Sequence, residues 1–279
     1  MHFDELIKNF NEKKIKTILI TTNWDNATTK PYIQKPNEVW TWGRQTELLS
    51  KKIHNIKSIA VGTPRFEQYK NIKINKKEAK LKLKLNTKYK YIAFTGSAFP
   101  FDELLVIKSI LLFFKKNNLK NYRLIYRPHP FAFIDHESSF RKIYKENFIL
   151  DPSINIFPAK PFLQSYYLLN AIEGIICPSS TLLVEAEYVK TPALCVAFNS
   201  KKYNIFNWHM NTKYQPHFKI FLNSKNHIFC WDINSFQKNL RRLVFNKKKF
   251  NKNLYKQIVF DNNLPYIKNI LKNIIRVIN

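Results

Sequence analysis

Glycine is the first scarcity: four residues in 279. So little of the residue that tolerates left-handed backbone excludes a collagen-like or Gly-rich linker chain and makes each glycine worth locating. No GxGxxG run is present, so the usual dinucleotide fingerprint is missing. Cysteine is scarce too. Cys177, Cys195 and Cys230 have no metal-ligand spacing, and two lie in apolar runs, as expected of buried reduced thiols in a cytoplasmic protein. No stretch approaches the roughly 18 uncharged apolar residues of a membrane span. Residues Met1–Asn11 also lack the continuous apolar centre of a signal peptide. Acidic residues number 19 against 47 lysines and arginines, a formal net charge of +28. That sign favours a polyanionic partner. The cations are scattered among Asn and Ile, without zinc-finger spacing, an RNP-like aromatic motif or a clear helix-turn-helix. Nucleic acid is therefore a poor candidate. Anionic lipid head groups or phosphate-bearing substrates suit the charge better.

What is present alternates. Short apolar runs predict strands over Thr17–Thr22, Val39–Trp42, Ser58–Gly62, Tyr91–Thr95, Tyr122–Tyr126, Asn155–Phe157, Gly174–Cys177 and Ala193–Phe198. Several are continuous β-branched and aromatic runs, which suit strands covered on both faces of a parallel sheet. Helical spacing is clearest over Asp102–Lys116, Phe162–Ala171, Ser179–Val189, Ser235–Phe245 and Leu264–Val277. Strand–helix alternation of this kind predicts an α/β, doubly wound architecture with mostly parallel sheets. The expected division is a partial α/β domain over 1–75, a Lys-rich connector over 76–90, a Rossmann-like domain over 91–215 and a mainly helical segment over 216–279.

Polar residues gather where strands end, the position at which open α/β sheets bind ligands. Tyr122–Pro130, YRLIYRPHP, places Arg127 and His129 between prolines just past a strand. Arginine offers a two-pronged fork for phosphate, and histidine donates to a phosphate oxygen or moves a proton. In GIICPSSTLLVEAEYVKTP, Ser179, Ser180 and Thr181 follow a strand and open a helix. One hydroxyl serves as an ordinary cap; three exceed that need, and the amides and positive dipole end of the helix suit a diphosphate. Glu185 shares a helix face with Thr181 and can accept hydrogen bonds from ribose or sugar hydroxyls. In YIAFTGSAFPFDE, Gly96 and Ser97 follow a strand, pointing to a tight turn or a close backbone approach. Nearer the N-terminus, Asn23, Trp24, Asp25 and Lys30 follow the first strand, and Arg65 follows Gly62-Thr63-Pro64. Asp25 is the carboxylate best suited to act as a general base, although a turn or cap explains it equally well. His54, His136, His209 and His217 have no companion at useful spacing, and structural roles are expected of them.

The segments NWDN…K, VWTWG, VGTPRF, FTGS, YRPHP and CPSSTLLVEAEYVKTPAL, in that order over about 180 residues, resemble the carboxyl-terminal two-thirds of bacterial surface-polysaccharide glycosyltransferases with the two-domain B-type fold. The YRPHP and SST…EA…P pair is also similar to CDP-glycerol glycerophosphotransferases. The resemblance implies a shortened N-terminal, acceptor-side domain facing a donor-binding domain. It implies transfer of a glycosyl group from a nucleotide-sugar to a polysaccharide or lipid-linked acceptor, without cofactor or bound metal. Glycerophosphate transfer from CDP-glycerol and a non-catalytic sugar-nucleotide-binding remnant are the alternatives. Carried over by residue, Arg127 and His129 face the donor phosphates, Ser179, Ser180 and Thr181 contact the diphosphate, and Glu185 meets a donor hydroxyl. Gly96 and Ser97 complete the donor side. Asn23, Trp24, Lys30 and Arg65 line the acceptor side, with Asp25 and His129 catalytic. The expected location is cytoplasmic, peripheral on the inner face of an anionic membrane.

Overall fold

The computed structural model describes residues 3–98, 101–129, 147–198, 212–224, 226–246, 250 and 254–278. His136, His209, Pro130 and the Lys247–Lys249 run lie outside them. The chain divides into two compact units. The first takes the described residues of Met1–Asn71, Gln215–Ile220 and Lys252–Asn279; the second takes those of Ile72–Tyr214 and Phe221–Asn251. The stretch read from sequence as one helical tail is thus shared between the units.

In the first unit, strands β1 (Ile18–Ile20), β2 (Glu38–Thr41) and β3 (Lys57–Ala60) form a parallel sheet in the order β1-β2-β3. Its centre is aromatic: Trp24, Trp40, Trp42, Phe66 and Tyr69 are all about 1% exposed. Helices α1 (Phe3–Glu12), α2 (Asn26–Thr29), α3 (Arg44–His54) and α4 (Glu67–Lys70) belong to it by chain position.

In the second unit, β4 (Lys90–Thr95), β5 (Tyr122–Arg127), β6 (Phe148–Leu150), β7 (Gly174–Pro178), β8 (Ala193–Val196) and β9 (Ile228–Cys230) form a parallel sheet. Their order is β6-β5-β4-β7-β8-β9. The chain winds outward from β4 to β6, returns, and winds the other way from β7 to β9, so the order reverses between β4 and β7. That is the topological switch point of a doubly wound sheet. The near-continuous apolar strands predicted from sequence are buried throughout β7 and β8 and in β4 beyond its first residue. Helices cover the sheet: α5 (Lys76–Lys82), α6 (Glu103–Lys116), α7 (Ser153–Ile156), α8 (Pro161–Ala171), α9 (Leu182–Val189), α10 (Lys219–Ser224) and α11 (Phe236–Phe245). All belong to this unit except Lys219 and Ile220 of α10. The chain ends in α12 (Leu254–Ile258) and α13 (Tyr266–Ile278) of the first unit.

Three expectations change. The strand predicted at Asn155–Phe157 is instead α7, with the strand lying earlier, at β6. The cause is local: the Asp151 carboxylate accepts the Ser153 amide at 2.9 Å, and Ile156 and Phe157 donate back to Pro152 and Ser153. Asp-Pro-Ser thus starts a helical turn. The Lys-rich connector carries α5, capped reciprocally by Asn75 and Glu78. Strand β9 went unseen because a three-residue apolar run carries no readable period.

Candidate functional site at the switch point

The site builds upward from β4. Its last residue, Thr95, lies opposite Arg127 at the end of β5, and the ladder runs one step further as Gly96 donates to the Arg127 carbonyl at 2.8 Å. On the other side β4 pairs with β7, Phe94 opposite Ile176. The carboxyl ends of β5, β4 and β7 are therefore adjacent. They bring together Pro128-His129, Gly96-Ser97 and Ser179-Ser180-Thr181, which the sequence shows only as separate motifs.

Glu103, the first residue of α6, ties two of these loops together. It is 5% exposed. Its Oε1 accepts the Ser97 amide at 2.9 Å and its Oε2 accepts the Tyr126 hydroxyl. Burial and the neighbouring carboxylate push the Tyr126 pKa far above the ordinary phenol value, so this hydroxyl stays a donor. A Cβ on Gly96 would stand 2.7 and 2.9 Å from the Glu103 oxygens and 3.0 Å from the His129 amide nitrogen. The glycine is thus demanded by the Glu103 carboxylate and the β5 loop. His129 is half-buried, and burial holds its pKa below the ordinary imidazole value against the opposing pull of Glu103. At neutral pH it is a neutral ring with one donor and one acceptor nitrogen.

Sequence reasoning passed over Glu103. The signal was an acid at the helix start that follows the Gly96-Ser97 turn, masked by the ordinary preference for acids there.

Arg127 departs from its expected place. Its guanidinium is 14% exposed and pairs with Asp151 through Nε. It also donates to Ser153 Oγ at 2.7 Å and Ser165 Oγ at 3.0 Å. All three nitrogens are engaged within the unit, so the fork expected to grip phosphate instead fixes the end of β5 to α7 and α8.

The hydroxyl triplet also resolves into parts. Ser180 Oγ accepts the Leu182 amide at 3.1 Å, the capping role, while Thr181 makes no side-chain cap. The amides of Leu183, Val184 and Glu185 close back on Ser180 and Thr181 carbonyls. The amides of Ser180 and Thr181 precede that turn, within the triplet singled out from sequence. Ser179 is buried, and Glu185 is 2% exposed in the first turn of α9.

Residues assigned to the acceptor side belong to the first unit. Asn23 and Lys30 are exposed. Trp24 is a core residue, donating to Gln45 Oε1 at 3.1 Å and meeting His217 and Phe218 edge-on at 4.9 and 5.3 Å. Asp25 is half-buried at the start of α2. Its carbonyl accepts from the Thr28 and Thr29 amides, and its carboxylate meets the Thr29 hydroxyl at 3.5 Å. Arg65 lies over the Trp42 ring, 5.6 Å from its centroid. His217 is a core histidine: 1% exposed, hydrogen-bonded to Thr28 Oγ1 at 2.8 Å, its pKa pushed down to about 3 by burial.

Compared by sequence, the chain matches no family model and no curated protein. Compared by structure, it is similar to the UDP-GlcNAc 2-epimerase of Methanocaldococcus jannaschii solved with UDP-GlcNAc and UDP. That match has a TM-score of 0.57 and 11% identity over 98% of this chain and 79% of that one. Staphylococcus aureus MnaA with UDP gives 0.55 and 12%, over 98% and 80%. A UDP-N-acetylglucosamine 2-epimerase from Listeria monocytogenes, described as putative, gives 0.54 and 12%, over 97% and 68%. The fold is that of the B-type glycosyltransferases, α/β with parallel sheets.

Proposed function

We propose that this protein is a transferase. It would move a glycosyl group from a nucleotide-sugar to a surface-polysaccharide or glycolipid acceptor, with the donor diphosphate seated at the carboxyl ends of β5, β4 and β7. One observation carries the reading: three polar loops from adjacent strands meet at the switch point of a doubly wound sheet. In this assignment the amides of Ser180 and Thr181, the Ser179 and Thr181 hydroxyls and the neutral His129 ring hold the diphosphate. Glu103 and Gly96 position His129, and Arg127 fixes the strand end from which His129 projects. Glu185, in the first turn of the same helix, accepts from a donor hydroxyl.

As the bond to the anomeric carbon breaks, negative charge grows on the departing diphosphate. Donors already aimed at that charge lower the barrier without reorganising. Asp25 is the base assigned to the acceptor hydroxyl, with Asn23, Lys30 and Arg65 on the acceptor side. No metal is assigned to the reaction. The cytoplasmic face of a membrane is the proposed place of work, since a lipid-linked or growing polymer acceptor is found there.

The experiment is calorimetry of the full chain with UDP, CDP and other nucleoside diphosphates, followed by mass spectrometry of products from UDP-sugars and CDP-glycerol. UDP-sugars come first because two of the structural neighbours were solved with UDP. Nucleotide binding weakened by His129→Ala, with an acceptor product heavier by one sugar, is the expected result. A phosphodiester product would move the reading to glycerophosphate transfer, the reaction favoured by the YRPHP and SST…EA…P pair. An isomerised donor with no acceptor product would replace transfer with epimerisation. Binding unchanged by His129→Ala refutes the assigned site.

A further inference from the structure

Helix α13 has two apolar faces, and the fold uses one. Asn269 and Ile270 are buried, and Asn269 donates to the Val61 carbonyl at 2.7 Å. Tyr266, Ile270 and Val277 pack with Trp40 and Val61. The other face carries Ile267, Leu271, Ile274, Ile275 and Ile278, spaced so that they line one side of the helix. Exposure is 60% at Ile267, 51% at Leu271, 59% at Ile275 and 76% at Ile278. A line of large aliphatic side chains along about three turns differs from singly scattered surface hydrophobics.

The charged side chains of the helix itself are all cations, while Glu67 accepts the Tyr266 amide at its start. The helix has no acidic residue, and Lys268 and Lys272 fall between the exposed stripe and the buried face. At its carboxyl end Lys16 donates to the Val277 carbonyl at 2.8 Å. Glu38 there is shared by Arg276 at 2.5 Å and Lys57 at 2.7 Å. These side chains line a crevice of about 290 Å³ in which three cations, Lys16, Lys57 and Arg276, surround one carboxylate. Next to Lys16 in sequence, Ile15 is 47% exposed and follows Lys13-Lys14.

We propose that α13 is the surface on which this protein lies against an anionic lipid bilayer. The Ile267–Ile278 stripe enters the boundary between head groups and acyl chains, and Lys268 and Lys272 sit at the level of the phosphates. The Lys16/Lys57/Arg276 crevice takes a head-group phosphate. An aliphatic stripe on a helix whose only charged side chains are cations is complementary to such a surface. The assignment stands on the first unit and does not depend on the donor site.

The test is co-sedimentation of the full chain with vesicles of equal phosphatidylglycerol and phosphatidylcholine, and with phosphatidylcholine alone. The wild-type chain is expected on the mixed vesicles. Its affinity should fall about tenfold or more on the neutral ones, or in about 0.5 M salt. The variant Ile267→Gln/Leu271→Gln/Ile275→Gln alters exposed side chains, so its unfolding temperature and nucleotide affinity should match wild type. Its affinity for the mixed vesicles should fall about tenfold or more. Absence of wild-type binding, or equal binding by the variant, overturns the proposal. So does a wild-type dimer in solution that the triple variant abolishes, because a second copy would then cover the stripe.

Discussion

Replacing Arg127 with alanine separates a ligand-gripping guanidinium from a structural one. Removing it leaves Asp151, 2% exposed, with the Ser153 amide at 2.9 Å but without its counter-charge. A buried charge stripped of its partner costs about 3–5 kcal/mol. The guanidinium is itself 14% exposed, so some water replaces it, and the low end, ~3 kcal/mol, is the expected loss. For a unit of this size that corresponds to a melting transition lowered by about 6–12 °C. Scanning calorimetry suits the measurement because a chain of two units need not melt in a single step. Adding Asp151→Ala should restore about 1–2 kcal/mol by removing the stranded charge, a coupling that a double-mutant cycle reads directly. Nucleotide affinity should fall in Arg127→Ala and partly return in the double variant, because the His129 loop hangs from the same strand end. An unchanged melting transition together with lost nucleotide affinity would refute this: the guanidinium would then serve the ligand, as the sequence alone suggests.

Gly96→Ala should lower nucleotide affinity and cost about 1–3 kcal/mol of stability, because its Cβ would lie 2.7 Å from Glu103 Oε1; wild-type values for both would show that the loop yields. His217 has a folded pKa of about 3 against an ordinary 6.5, so the unfolded chain binds the extra proton between those values and stability rises with pH across that window. Between pH 6.5 and pH 4 this histidine alone removes ~3 kcal/mol, and the pH profile of His217→Gln should be flatter by that amount; parallel profiles would remove His217 as the cause. Asp25→Asn should cut turnover about 100-fold or more while nucleotide affinity holds, and full activity would return Asp25 to a turn residue. Excess EDTA should leave turnover unchanged, whereas metal-restorable loss would contradict the metal-free assignment.

Strand identity in the second unit was legible because β4 after its first residue, β7 and β8 are continuous apolar runs, and β5 departs from this only at Arg123 before its end. Burial on both faces leaves that trace in sequence. Strand order was not legible. Nothing in the residues states that β4 lies between β5 and β7, yet that placement sets three separate motifs at adjacent strand ends. Trp24 shows a different failure. Beside Asn23 and Asp25 it reads as part of a polar loop, but His217, distant in sequence, closes over its ring. Short-range pattern carries no information about a partner of that kind. The sequence aimed Arg127 at a phosphate because nothing local marks Asp151 and Ser153, just before the strand expected at Asn155–Phe157, as its partners. Once the chain after Asp151 turns into α7, that carboxylate and the Ser153 hydroxyl face the guanidinium.

The end of β5 also explains how a half-buried histidine can be held in a fixed place. Consecutive strand residues point to opposite faces of a sheet. Tyr126 is tied to Glu103 at the start of α6, and Arg127 is tied to Asp151, Ser153 and Ser165 on the α7–α8 side. The strand end is therefore pinned from above and below by neighbouring side chains. Gly96 closes the remaining direction, donating to the Arg127 carbonyl and admitting Glu103 and the His129 amide where any other side chain would clash. Pro128 then limits the backbone by which the chain leaves this fixed point. In the proposed site, a ring carried two residues beyond such an anchor would lose little freedom on meeting a diphosphate, which is the condition for binding energy to act on the departing charge. On this reasoning Glu103, which touches both the Gly96-Ser97 turn and the Tyr126 side of the anchor, governs the position of His129 more than any residue within the YRPHP motif.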